Sequence, residues 1–236
     1  MTIAMNSAQR TRIKICGLTR EEDVDAAVAA GADAVGFVLY KASPRYVTPQ
    51  RAVELARRLP PFVTPVLLFV NEKATNIIAA QAINKLAIAQ FHGDESPSQC
   101  NQLGVPYLRA ARIPQGDGAA AFDLVKYAHD YSQAKAILLD AHVEGYGGGG
   151  KTFNWSLLPT NVNAHLVLSG GLNAANVIEG ILQVRPRCKT LAVDVSSGVE
   201  ATDAQGKTIK GIKDAHKIHQ FIQAVRAADA QLYSTI

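Results

Sequence analysis

Two short stretches of small residues carry the plainest chemical signal in this sequence. Ser169-Gly170-Gly171 and Asp194-Val195-Ser196-Ser197-Gly198 each close an apolar run. Glycine lets backbone N–H groups approach an anion without a side chain in the way, and a helix N-terminus adds a favourable dipole, so both stretches suit a phosphate. One glycine pair more often serves a tight turn. Two such stretches at corresponding places shift the balance toward binding. Other residues are chemically able but ordinary when taken singly. Cys16 at an apolar strand end reads as a buried core thiol. Asp140 reads as a turn or cap residue. His92 suits a hydrogen bond to a backbone carbonyl, Arg45 a solvated loop, and Gly147–Gly150 a flexible link.

These residues need elements to position them. Short runs rich in Val, Ile and Leu predict strands near Arg12–Cys16, Ala34–Leu39, Pro65–Val70, Leu86–Phe91, Tyr107–Ala110, Ala136–Leu139, His165–Leu168 and Thr190–Asp194. The runs are continuous rather than alternating, as parallel strands buried on both faces require. Helical spacing lies between them, in Ala52/Leu55/Ala56/Leu59, Val177/Ile178/Ile181/Leu182 and Ile218/Phe221/Ile222/Val225. Thr19 with Glu22 predicts a capping box, Thr48-Pro49 and Ser96-Pro97 predict N-caps, and Gly31 and Gly104 predict helix stops. Only Asn154–Leu158 is available for a sixth helix before Pro159.

Eight strand–helix units in one chain predict a closed (β/α)8 barrel, with a doubly wound open sheet as the alternative. No linker divides the chain, so residues 1–236 are expected to form one domain, with 1–11 as a short N-terminal extension. In such barrels the site lies at the carboxyl ends of the strands, and the loops after strands seven and eight hold phosphate. Cys16, Asp140, His92, Arg45 and both small-residue stretches fall at such ends.

Composition narrows the classes. Apolar residues make up 48% of the chain, enough for a large core. The net charge of +4 has no Lys/Arg block behind it, which argues against nucleic acid and suits a small anionic ligand. Cys16, Cys100 and Cys188 form neither a disulfide framework nor a metal-ligand pair, so reduced thiols in a cytoplasmic protein are expected. Met1 to Arg12 lack an apolar signal core, and no apolar run is long enough to span a membrane. Neither metal nor organic cofactor is expected.

The joint order of several motifs resembles the phosphoribosylanthranilate isomerase family from Lys14 to about Phe221. Those motifs are Lys14-Ile15-Cys16-Gly17-Leu18-Thr19, Ser43-Pro44-Arg45-Tyr46-Val47, Phe69-Val70-Asn71, Gln90-Phe91-His92-Gly93-Asp94-Glu95, Leu139-Asp140, Gly147–Lys151, Phe153-Asn154-Trp155, Ser169–Asn173 through Asn176, Asp194–Glu200, and Lys213-Asp214. The resemblance implies Cys16 as general base, Asp140 as general acid, and Arg45 as the holder of an anthranilate carboxylate. It implies phosphate binding by Gly170, Gly171, Asn173, Ser196, Ser197 and Gly198. The implied reaction is an Amadori rearrangement of a phosphorylated aminoaldose, a step of tryptophan biosynthesis. It needs one acid to open the sugar ring and one base to take a proton from carbon two. Another phosphate-binding barrel enzyme, such as a sugar-phosphate epimerase or a histidine-pathway aminoaldose isomerase, is the nearest alternative; a non-catalytic sugar-phosphate binder is the other. The sequence departs from the family at Gly149 and Asn154, and Ala201–Lys210 is longer than the usual link.

Overall fold

The computed structural model describes residues 10–114, 122–141 and 152–234. Eight parallel strands close into a barrel in sequence order: β1 (Arg12–Cys16), β2 (Ala34–Val38), β3 (Thr64–Phe69), β4 (Ile88–Phe91), β5 (Tyr107–Ile113), β6 (Ala136–Ala141), β7 (His165–Leu168) and β8 (Thr190–Val195). β8 pairs back onto β1 with Asp194 beside Lys14. The expected closed barrel is therefore present, and the open sheet is excluded.

The continuous apolar runs separate into two layers. Ile13, Ile15, Phe37, Leu67, Phe91, Leu139 and Val193 point outward into the large core beneath the helices. Alternate residues fill the lumen in two small clusters, one of Cys16, Val38, Leu68 and Val70, the other of Ala110, Leu138 and Val167. The lumen also contains charge: Lys14 and Asp194 pair at 2.8 Å, both nearly excluded from solvent. Lys14 and Cys16, like Gln90 and His92, stand two residues apart and so share the inward face.

The connecting helices are α1 (Glu21–Ala30), α2 (Pro49–Ala56), α3 (Ala74–Ile83), α4 (Pro97–Gln102), α5 (Leu124–Asp130), α6 (Val177–Val184) and α7 (Ala215–Ser234). Thr48 and Ser96 are N-caps, the latter with a full capping box through Gln99. Gly31 ends α1 in the left-handed conformation that glycine tolerates best. The capping box expected at Thr19 does not form. Arg20 occupies the N-cap of α1, and the Thr19 hydroxyl donates to the Gly211 carbonyl at 2.7 Å. Between β6 and β7 the place of a helix is taken by one 3-10 turn, Trp155–Leu157, capped by Asn154. After β8 comes an antiparallel hairpin, β9 (Glu200–Thr202) and β10 (Thr208–Lys213), which contains most of the long Ala201–Lys210 link.

Candidate active site

Cys16 lies at the carboxyl end of β1, 5% exposed. Lys14 stands two residues before it on the same face, and its ammonium acts on the thiol. Both side chains fit because β2 presents Gly36 beside them. A methyl group there would come within 2.7 Å of Cys16 Sγ and 3.0 Å of Lys14 Nζ. Burial pushes the Cys16 thiol up; Lys14 and, more weakly, Lys213 pull it down while Asp194 adds to the rise, and burial prevails. Burial alone would lower Lys14, but Asp194 and Cys16 hold its ammonium above the ordinary lysine range. The cation needed beside a thiolate is thus in place, while burial favours the thiol.

Arg45 follows β2 and crosses to the hairpin after β8. Its Nε and Nη2 donate to the two oxygens of Glu200 at 2.6 and 2.9 Å. Glu200 also accepts from the Gly211 amide at 2.9 Å and from Lys213 Nζ at 3.3 Å. Burial opposes its charge, yet Arg45 and Lys213 hold its carboxyl below the ordinary range. Lys213 continues the chain into the loop after β8, donating to the Ser196 carbonyl at 2.9 Å and hydroxyl at 3.2 Å. One edge of the Arg45 guanidinium is therefore already engaged, which the sequence did not indicate. Together Lys14, Arg45 and Lys213 set three buried cations against the two carboxylates of Asp194 and Glu200. That excess favours an anionic ligand.

Asp140 lies near the end of β6, three strands from β1 by the shorter way round. His92 Nε2 sits 3.0 Å from Asp140 Oδ2, and Gln90 Nε2 sits 3.1 Å from His92 Nδ1. Room for the carboxylate comes from the loop after β7. A methyl group on Gly170 would approach Asp140 Oδ1 to 2.7 Å and the Ala141 amide to 2.6 Å. The His92 ring, which the sequence suited to a backbone carbonyl, meets two side chains instead and is the immediate neighbour of the proposed acid.

The loops after β7 and β8 lie side by side. Gly170 and Gly171 both have positive φ, 79° and 64°. Ser196, Ser197 and Gly198 are half-buried, and Ser197–Val199 form a 3-10 turn. Gly198 is required first by packing, because a methyl group there would overlap the Leu172 carbonyl oxygen. Asn173 shapes its own loop: its Oδ1 accepts from the Ala175 amide at 2.8 Å, and its amide donates to Asn176 Oδ1 at 2.9 Å. The glycine-rich Gly145–Lys151 lies outside the described residues. Among the described residues no group of three or more His, Cys, Asp or Glu side chains is placed to hold a metal ion.

The structure thus brings Cys16, Arg45, Ser196, Ser197 and Gly198 to one side of the barrel mouth and Asp140 with Gly170 toward the other. Sequence reasoning missed the roles of Lys14, Gln90, Glu200 and Lys213. A signal existed for the first two: a polar residue inside a buried strand, two positions before a candidate, shares its face.

A family model described as N-(5'-phosphoribosyl)anthranilate (PRA) isomerase matches residues 13–224. N-(5'-phosphoribosyl)anthranilate isomerase of Methylibium petroleiphilum is 60% identical over 223 residues, covering 94% of this chain and 97% of that one. Its counterpart from Leptothrix cholodnii is 59% identical over 225 residues, covering 95% of each. The crystal structure of phosphoribosyl anthranilate isomerase from Thermotoga maritima superposes with a TM-score of 0.78 at 40% identity, covering 92% of this chain and 99% of that one. A second solved isomerase is in complex with reduced 1-(o-carboxyphenylamino)-1-deoxyribulose 5-phosphate, with a TM-score of 0.74, 37% identity and the same coverage.

Proposed function

The chain belongs to the N-(5'-phosphoribosyl)anthranilate isomerase family, and we propose that Cys16 and Asp140 carry the proton transfers of its reaction. It is an isomerase of tryptophan biosynthesis, converting N-(5-phosphoribosyl)anthranilate to 1-(2-carboxyphenylamino)-1-deoxyribulose 5-phosphate. The observation that supports these roles best is the placement of a buried thiol and a buried carboxyl at the ends of β1 and β6, on different sides of one barrel mouth.

In this reading Asp140 gives its proton to the ribose ring oxygen, and the ring opens to a protonated imine. The imine nitrogen then draws electrons from carbon two, and Cys16 removes the proton there. Lys14 stabilises the thiolate that does so. The enolamine tautomerises to the ketone, so the substrate's own nitrogen is the electron sink. The phosphate lies between the loops of Gly170, Gly171 and Asn173 and of Ser196, Ser197 and Gly198, held mainly by backbone N–H groups. Lys213 supports the second loop from below and adds positive charge. Arg45, fixed by Glu200 along one edge, keeps its Nη1/Nη2 edge for the anthranilate carboxylate. We take the small phosphorylated aminosugar as the binding partner and the cytoplasm as the place of action; among the described residues no helix is long and apolar enough to cross a membrane.

Turnover, followed as loss of substrate fluorescence, tests the assignment. Cys16→Ala and Asp140→Ala should each lose at least ~10²-fold in kcat, the usual scale of general acid–base catalysis. Near-normal turnover of either folded variant removes that residue from the role.

A further inference from the structure

Gln90 is wholly buried on β4, on the same inward face as His92. Its amide nitrogen lies 3.1 Å from His92 Nδ1, and His92 Nε2 lies 3.0 Å from Asp140 Oδ2. An amide N–H that donates to Nδ1 needs that nitrogen bare. The ring proton is then on Nε2 and is donated to Asp140 Oδ2, a contact that favours the carboxylate form. This arrangement leaves Gln90 Oε1 buried with no partner among the described residues. It also favours the form of Asp140 that has no proton to give.

Half a turn of the amide exchanges its oxygen and nitrogen and reverses every donor in the row. Oε1 then accepts from Nδ1–H, and Nε2 is bare. The hydrogen bond between Nε2 and Asp140 now requires a carboxyl O–H. The oxygen has gained a partner and the amide nitrogen has taken its unpartnered place. Each orientation thus leaves one buried amide atom unsatisfied and neither is favoured on that count, while in the second the acid carries its proton.

We propose that Gln90 is a positioning residue that sets the proton on Asp140 through the tautomer of His92. With its oxygen toward His92, Gln90 holds Asp140 charged with a proton for ring opening. The O–H bond of Asp140 then breaks, the proton bonds to the sugar ring oxygen, and the electron pair stays on the carboxylate. With its nitrogen toward His92, Gln90 favours the Nε2–H tautomer, which stabilises that carboxylate. The isomerisation consumes no proton overall, so one returns to Asp140 in each cycle. The idea rests on Asp140 as the acid, but the state of His92 is measurable independently of it.

The experiment records 15N resonances of the His92 ring in the ligand-free full-length protein at the pH of maximal turnover, with kcat and KM of Gln90→Leu beside it. The expected result is protonated Nδ1 and bare Nε2 in the wild type, reverting to Nε2–H in Gln90→Leu. That variant should lose tenfold or more in kcat while KM changes less than threefold, because the substrate's anionic ends are held elsewhere. Inhibition by inorganic phosphate and a thermal melt establish that Gln90→Leu is folded. A wild-type ring protonated at Nε2 alone, or at both nitrogens, overturns the proposal without need of any variant. So does a folded Gln90→Leu with unchanged kcat. If Asp140→Ala retains turnover, the acid assignment fails instead, a result distinguishable from either of these.

Discussion

Lys14 and Cys16 share one face of one strand, and the cost of burying the thiolate is set against the charge of the ammonium beside it. Lys14 pulls the Cys16 thiol down against burial. Removing that charge must move the thiol still higher, so in Lys14→Met the rate that depends on thiolate should develop at higher pH than in the wild type. A pH–rate profile of kcat/KM checks this, and an unmoved profile would mean that Lys14 serves only Asp194. Arg45 is the second residue whose chemistry is separable. Hydrogen bonds to charged groups contribute about 1.5–3 kcal/mol, so Arg45→Ala should weaken a carboxylate-bearing product analogue by roughly 10–150-fold. The same analogue stripped of its carboxylate should bind almost as before; equal losses for both ligands would place Arg45 in a structural role through Glu200. Arg45 could be singled out in the sequence as a candidate because it stands in a compact motif, as do Cys16 and Asp140. Glu200, its partner, lies 155 residues away, and nothing local to either reveals the pair. Gln90 and Lys14 were visible as polar residues in buried strands, but their targets depend on the barrel's closure.

The elements were read well where local chemistry decides them. Parallel burial on both faces imposes continuous apolar runs, and these located all eight strands, with ends shifted by a residue or a few. Thr48 and Ser96 cap because their hydroxyls find an amide three residues on. Thr19 does not, since its hydroxyl has a tertiary acceptor in Gly211, contributed by the hairpin after β8. That hairpin was legible only as extra length. Its base holds the site through Glu200, Gly211 and Lys213, while residues 203–207 at its tip are exposed apart from no more than partial cover. Replacing that tip by a two-residue turn should therefore leave kcat and KM close to the wild type, measured in the same turnover assay. A large loss would show that the tip itself reaches the substrate. The Leu172 carbonyl against Gly198 makes the opposite case. Gly198→Ala must push the loops after β7 and β8 apart; if they hold phosphate as proposed, KM should rise and inhibition by inorganic phosphate should weaken.

At the scale of the whole molecule, the proposed chemistry sits at the mouth and the floor closes the chain. Asp229 on α7 accepts from the Thr11 amide at 3.0 and 3.1 Å, and pairs with Arg185 at 3.2 Å. This buried knot joins the start of β1 to the final helix, far from Cys16 and Asp140 in role. Breaking a buried pair costs about 3–5 kcal/mol, so Asp229→Ala should lower the unfolding free energy by that order and leave kcat little changed. Denaturant unfolding beside turnover would show it; a loss of kcat without loss of stability would contradict this division. The central claim concerns one proton at the other end of the barrel. Substrate labelled with deuterium at carbon two of the sugar should be converted by the wild-type protein with a primary isotope effect on the step that breaks that bond, seen in single turnover. Cys16→Ala should bind the reduced product analogue nearly as tightly as the wild type yet cleave the labelled bond at least ~10²-fold more slowly. Cleavage by Cys16→Ala at the wild-type rate would contradict the account.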